Sequence, residues 1–335
     1  MFDIARLDPR EREILFRNTA MSKGLPESII EKDFWVCFVL DYLFHKSKWQ
    51  KQLAFKGGTS LSKAYDLIQR FSEDIDLMLD WRVLGYGKNE PWEQRSKTKQ
   101  LEFNKDSINK LFAFLREEFL PVFKKDMSEL LGTDANVYIN DDDAGTVNFA
   151  YPSSYEDSYV LRVIRLEIGA LSAWTPTHPV IIRSYAAECY PDIFNSPVTE
   201  VLTTTAERSF WEKATILHQE AYRPEGSLIP DRYSRHYYDL YQMSRTHVKE
   251  DALAQPELLI KVAEFKNKFY PRGWARYDEA RIGTLKLMPA EHSIDRISSD
   301  YEKMKSMIYG DIPKFDDLLN AIGQLEVDIN STKVN

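Results

Sequence analysis

The chain has 335 residues, 43% of them hydrophobic and 29% charged, with a formal net charge of −8. That length suits about two domains, and the acidic balance argues against a protein that coats nucleic acid by bulk attraction, although a local basic groove stays open. Cys37 and Cys189 lack metal-ligand spacing and read as reduced core residues, the charged N-terminus lacks the apolar region of a signal peptide, and no stretch approaches the ~20 apolar residues of a membrane span, so a cytoplasmic protein is expected.

In chain order, residues 8–45 read as helical. Asp8 offers a cap, Pro9 suits the first turn and Gly24 a stop; a second helix follows with an apolar face through Ile30, Phe34, Val36 and Leu40. "KQLAFKGG" is a short apolar strand running into glycine, "TSLSKAYDLIQR" fits a helix capped by Thr59 or Ser60, and "EDIDLML" alternates as a strand does. Residues 92–131 form a long amphipathic pattern. Two strands flank the Asp/Gly turn of "NVYINDDDAGTVNFAYP", whose Asp141–Asp143 run reads as a solvated hairpin tip, and "YVLRVIRLEIGAL" is a further strand. Beyond about Tyr185, Pro191 and Pro197 punctuate a linker. "VLTTTAERSFWEKATILHQEAYR" and "DRYSRHYYDLYQMSRT" then read as helices, and helical pattern continues to about Leu325 with breaks at Pro256, Pro271 and Pro289. The fold class expected is α+β, a mixed sheet flanked by helices over 1–190 and a helical C-terminal domain over 191–335.

The segment Ala54–Leu79 concentrates the chemistry. Gly57 and Gly58 let the backbone approach a ligand and expose its N–H groups, and the helix that starts there favours anions. Asp74 and Asp76 are two apart on a strand and share a face. Two carboxylates so placed repel unless a cation sits between them, and Mg²⁺ takes oxygen ligands together with substrate phosphates. The Gly-Lys-Ser/Thr ending of a Walker A loop is missing, so the order strand, Gly-Gly, hydroxyl, helix, Asp-x-Asp points to a different site for a metal-bound nucleoside triphosphate.

"FKGGTSLSKAYDLIQRFSEDIDL" resembles the signature of the polymerase-β-like nucleotidyltransferases. Within them the chain resembles the AbiEii/AbiGii-type toxins of bacterial type IV toxin–antitoxin and phage-defence systems, with "EKDFWVCFVLDYL" matching the family's lead-in helix. The resemblance implies a nucleotidyltransferase domain followed by the helical domain, and transfer of an NMP from an NTP to an acceptor, with the tRNA 3′ end as the expected acceptor. It also implies two Mg²⁺ ions, with Mn²⁺ as an alternative, and a cognate antitoxin that need not form a stable complex. A monomer is expected. A protein or small-molecule acceptor, or nucleotide binding without turnover, stands as the alternative.

On this reading Asp74 and Asp76 bind metal, and Glu167 in "LRVIRLEIGA" is the third carboxylate; a salt bridge from Glu167 to Arg165 is the plain structural alternative. Gly57, Gly58, Thr59 and Ser60 would cradle the triphosphate. Lys63 would either touch phosphate or stand in solvent, and Arg70 would anchor the Asp-x-Asp loop. Lys213 shares a core-facing stripe with Ala206, Phe210 and Leu217, where an ammonium is out of place unless it meets an anion or snorkels to the edge. The resemblance implies that it engages the triphosphate. Asp239 could pair with Arg235 one turn away on the surface, or serve the activity as the matching family aspartate does. His236 reads as structural.

Overall fold

The N-terminal residues build helices where their end signals place them. A single turn, α1 (Phe2–Ala5), leads into α2 (Pro9–Lys23). Asp8 accepts a hydrogen bond from the Arg10 N–H at 2.9 Å, and Gly24 closes the helix at φ 65°, a conformation that glycine adopts without strain. The next helix, α3 (Glu27–His45), differs from the one-sided helix expected. It is buried nearly all round, and its charged Glu31, Lys32 and Asp33 are buried with the aromatic residues that follow. Trp35 packs on Phe34, Phe38, Phe149 and Tyr151, so α3 is a central core element.

The computed structural model describes residues 1–157, 160–171 and 176–333. The chain forms two compact units, one of Met1–Ala64 with Ser72–Thr204 and one of Tyr65–Phe71 with Thr205 onward. The division expected at 190/191 falls before the last strand of the first unit, and Val334 and Asn335 of the expected C-terminal domain lie outside the described residues.

Among the described residues the first unit holds a seven-stranded mixed sheet in the order β3-β4-β5-β2-β1-β7-β6. Its strands are β1 (Leu53–Lys56), β2 (Asp74–Leu79), β3 (Asn136–Ile139), β4 (Thr146–Ala150), β5 (Ile164–Gly169), β6 (Thr177–Ile182) and β7 (Thr199–Thr204). β2 runs antiparallel to β1 and parallel to β5, so the Asp-x-Asp strand lies centrally. The helices α4 (Gly57–Lys63), α5 (Lys97–Phe114), α6 (Leu120–Leu131) and α7 (Tyr185–Cys189) complete the unit.

Four sequence expectations change in detail. The helix after the glycines ends at Lys63; Asp66 takes a left-handed φ of 51°, and residues 65–71 belong to the other unit. The long helix begins at Lys97 under a Ser96 cap and passes through a π-turn at Leu115–Phe119 before α6. The strand expected from Tyr159 begins at Ile164, and Tyr159 lies outside the described residues. Val201–Thr204, expected at the start of a helix, is strand β7: its β-branched residues suit a pleated surface, and the helix begins only after Thr205, whose hydroxyl caps the Arg208 N–H at 3.3 Å.

The second unit is helical: α8 (Ala206–Ala221), α9 (Arg235–Ser244), α10 (Val248–Leu253), α11 (Pro256–Phe269), α12 (Ile294–Met304) and α13 (Phe315–Ser331). Residues 69–71 join it through an antiparallel bridge, with the Phe71 N–H bonded to the Met307 carbonyl at 2.7 Å and the Tyr309 N–H to the Gln69 carbonyl at 3.0 Å. Among the described residues no helix is long and apolar enough to cross a membrane.

Candidate active site

Strand alternation puts Asp74 and Asp76 on the half-exposed face of β2, with Ile75 and Leu77 buried beneath. β5 repeats the pattern: Ile164, Leu166 and Ile168 are buried, while Arg165 and Glu167 face the other way. The parallel register sets Asp74 opposite Arg165 and Asp76 opposite Glu167. The structure therefore brings Asp74, Asp76 and Glu167 onto one face of two adjacent strands.

Gly57 has a direct reason to be glycine. Its φ is +83°, and a Cβ there would lie 1.8 Å from Asp76 Oδ2 and 2.8 Å from Asp76 Cβ. The Asp76 carboxylate occupies the space a side chain at 57 would take. The hydroxyls expected to cap α4 are used otherwise. Thr59 Oγ1 donates to the Asp74 carbonyl at 2.5 Å, tying the start of the helix to the start of β2. Ser60 Oγ donates to the Gly57 carbonyl at 2.8 Å, and α4 has no side-chain cap.

Lys63, expected at a phosphate or in solvent, has its ammonium buried 2.7 Å from Asp33 Oδ1 and 4.0 Å from the centre of the Tyr185 ring. Burial by itself would lower the Lys63 pKa; the charge of Asp33 outweighs it and raises the pKa. Asp33 belongs to a run of three buried charges that sequence reading did not single out. Glu31 accepts from the Ser153 hydroxyl and the Ser154 N–H, both at 2.7 Å. Lys32 donates to Glu73 at 2.6 Å and to the Leu161 carbonyl at 2.7 Å. Consecutive residues of one core helix thus hold the segment after β4, the residue before Asp74, and the end of α4. The signal available in the sequence is a run of three consecutive charges leading directly into the apolar stretch Phe34–Leu40.

The carboxylate face carries a cation of its own. Arg165 lies 3.3 Å from Glu167 Oε1, 3.0 Å from Asp143 Oδ2 and 3.9 Å from Asp74 Oδ1. The Asp74 pKa is raised, by burial first and then by the charge of Glu73, with Arg165 opposing and Asp76 adding. The donor set is all carboxylate oxygen, which fits a hard divalent cation. Asp74, Glu167 and Asp143 are arranged around the guanidinium, and among the described residues no three His, Cys, Asp or Glu side chains converge closely enough to hold an ion.

In the second unit Asp239 is fully buried and does not make the surface pair with Arg235 that its position on the helix allowed. Arg70 grips both its oxygens, Nε to Oδ1 at 2.6 Å and Nη2 to Oδ2 at 2.8 Å, and Lys213 Nζ reaches Oδ2 at 2.6 Å. Arg70, expected to anchor the Asp-x-Asp loop, is thus a partner of Asp239. Burial alone would raise the Asp239 pKa, yet Arg70 and then Lys213 hold it far below the usual carboxylate range. Lys213 is also lowered, by burial first and by the charges of Arg70 and Arg235 against the pull of Asp239. The two shifts are reconciled by the count of charges: two buried cations share one carboxylate, and the bidentate Arg70 takes the larger share. His236 Nδ1 lies 3.3 Å from Lys213 Nζ, and burial followed by that charge keeps the ring neutral.

The first unit is thus a mixed sheet with an acidic strand pair beside Gly-Gly, and the second unit is helical, an α+β arrangement. The model of the family "Nucleotidyl transferase AbiEii toxin, Type IV TA system" matches residues 40–321, and the chain belongs to this family. It is accordingly a nucleotidyltransferase, of the toxin type of type IV toxin–antitoxin systems. Similar solved structures include MenT4, a nucleotidyltransferase toxin from Mycobacterium tuberculosis H37Rv, at 13% identity and TM-score 0.48, covering 95% of this chain and 99% of that one. JHP933 from Helicobacter pylori is similar at 14% identity and TM-score 0.42, covering 91% and 93%. A search of curated proteins finds no match.

Proposed function

We propose that the protein transfers an NMP from an NTP to the 3′ end of tRNA in the cytoplasm, with Mg²⁺ held by Asp74, Asp76 and Glu167. The observation that carries this reading is the register of β2 on β5, which puts three carboxylates on one face, with the Asp76 carboxylate lying in the space left by Gly57. Divalent ions bound there would neutralise phosphate charge and lower the pKa of the attacking hydroxyl.

The chain's own residues supply position. Gly57 and Gly58 admit the triphosphate close to the backbone, and Thr59 and Ser60 shape that turn through their bonds to the Asp74 and Gly57 carbonyls. Lys63 acts through Asp33, fixing the end of α4. The acceptor oxygen bonds to the α-phosphorus, the bond to the pyrophosphate oxygen breaks, and the hydroxyl proton passes to water as pyrophosphate departs. We propose Lys213 as a residue that neutralises triphosphate charge, with Asp239 holding its ammonium in place. Family membership implies a cognate antitoxin.

The test is incubation of the purified protein with Mg²⁺, total tRNA and each α-³²P-labelled NTP in turn, resolved on a denaturing gel. Label on RNA from one NTP, absent in Asp76→Ala, is the expected result. Transfer retained by Asp76→Ala would overturn the metal assignment. Label in ribonuclease-resistant protein bands would overturn the acceptor and keep the reaction.

A further inference from the structure

We propose that Arg165 is a built-in counter-cation that holds Asp74 and Glu167 where a divalent ion would otherwise sit, so that this ion binds only by displacing the guanidinium. The inference rests on the metal reading of the Asp-x-Asp site given above. Its basis is the uneven distribution of partners across the acidic face. Arg165 contacts Asp74 at 3.9 Å, Glu167 at 3.3 Å and Asp143, from the β3–β4 hairpin, at 3.0 Å. Asp76 is absent from that set, its carboxylate lying against Gly57 instead.

A guanidinium and a divalent ion answer the same need in different ways. The planar fork spreads one charge over several donors at hydrogen-bond distance. Mg²⁺ requires oxygens at about 2.0–2.1 Å in near-octahedral order. The two cannot share the same oxygens of Asp74 and Glu167. The Arg165 side chain is 36% exposed, and Glu167 and Asp143 are each 42% exposed, so water and ions reach the cluster. An ion carried in with the triphosphate at Asp76 does not have to displace Arg165. The ion that Asp74 and Glu167 would share does, and its arrival is conditional on Arg165 leaving.

The experiment titrates Mn²⁺ alone into the full-length protein, reading free Mn²⁺ by electron paramagnetic resonance and following each variant's thermal melt. Arg165→Gln removes the competing charge and should bind Mn²⁺ at least about tenfold more tightly than wild type. Its melting temperature should fall without metal, because three carboxylates then face one another, and rise more on adding Mn²⁺ than that of wild type. Arg165→Lys keeps a positive charge and should stay within about threefold of wild type. Arg165→Met, which keeps the packing of the stem, replaces Arg165→Gln if that variant gives no cooperative melt.

Unchanged Mn²⁺ affinity in a folded charge-removing variant overturns the proposal and shows Arg165 to be a purely structural ion-pair residue. Adding Asp74→Asn to Arg165→Gln separates the two failures. If that second change leaves the tightened Mn²⁺ binding intact, the ion that Arg165 opposes is not held by Asp74, and the reading beneath the proposal fails instead.

Discussion

Gly57→Ala isolates the closest approach in the site. The new Cβ would lie 1.8 Å from Asp76 Oδ2, where ordinary contact begins at 3.4 Å, so the carboxylate would have to withdraw by at least the difference, 1.6 Å. Rotation of the Asp76 side chain does not relieve the clash, because its Cβ would itself be only 2.8 Å away. Either β2 or the turn at 57 must shift. A displacement of that size at the carboxylate proposed to bind metal should lower transfer by about 10²-fold or more. The left-handed φ adds ~1–2 kcal/mol of instability, and the clash more. Gly24→Ala is the matched control: Gly24 also has a positive φ, 65°, but nothing lies within 4 Å of its would-be Cβ. The assay is the initial rate of label transfer from NTP, with urea unfolding of both variants alongside. Both should lose stability, and only Gly57→Ala should lose activity. A Gly57→Ala enzyme with a rate within about twofold of Gly24→Ala would refute the argument that this glycine exists to admit Asp76.

Two further outcomes test the buried charges. Lys32→Met removes the ammonium 2.6 Å from buried Glu73 and should cost ~3–5 kcal/mol in urea unfolding, with part recovered in Lys32→Met/Glu73→Gln; no recovery would mean that the pair is not the source of the loss. Asp239→Asn leaves Arg70 and Lys213 buried beside a neutral group and should also cost ~3–5 kcal/mol at neutral pH. Because the folded pKa of Asp239 is depressed, its contribution is fully present above the unfolded carboxylate value of about 3.9 and is lost as pH falls through the folded value. The stability gap between wild type and variant should therefore be level from about pH 5 to 8 and narrow below about pH 4. A gap that stays constant at acid pH would contradict the assignment.

Much of this was legible along the chain because the relevant physics is local. Asp8, Pro9 and Gly24 mark a helix by backbone chemistry alone, and the two-residue period of "DIDLML" puts Asp74 and Asp76 on one face whatever surrounds them. The stripe through Ala206, Phe210, Lys213 and Leu217 likewise follows from helical spacing, and all four are buried. Val201–Thr204 does not read as a strand because a short run next to a helix carries no periodicity of its own; pairing with β6 and β1 makes it one.

Charge partners belong to the tertiary structure. Sequence spacing offered Asp239 an arginine four residues away, but it pairs with Arg70, 169 positions distant, and with Lys213. Lys63 found Asp33, Lys32 found Glu73, and Arg165 found three carboxylates from three segments. A side chain's face is set by its own backbone, whereas the partner it meets there is set by which strands and helices pack together; the residue types of this site could be read from the chain, and only the fold decided which charges would share it.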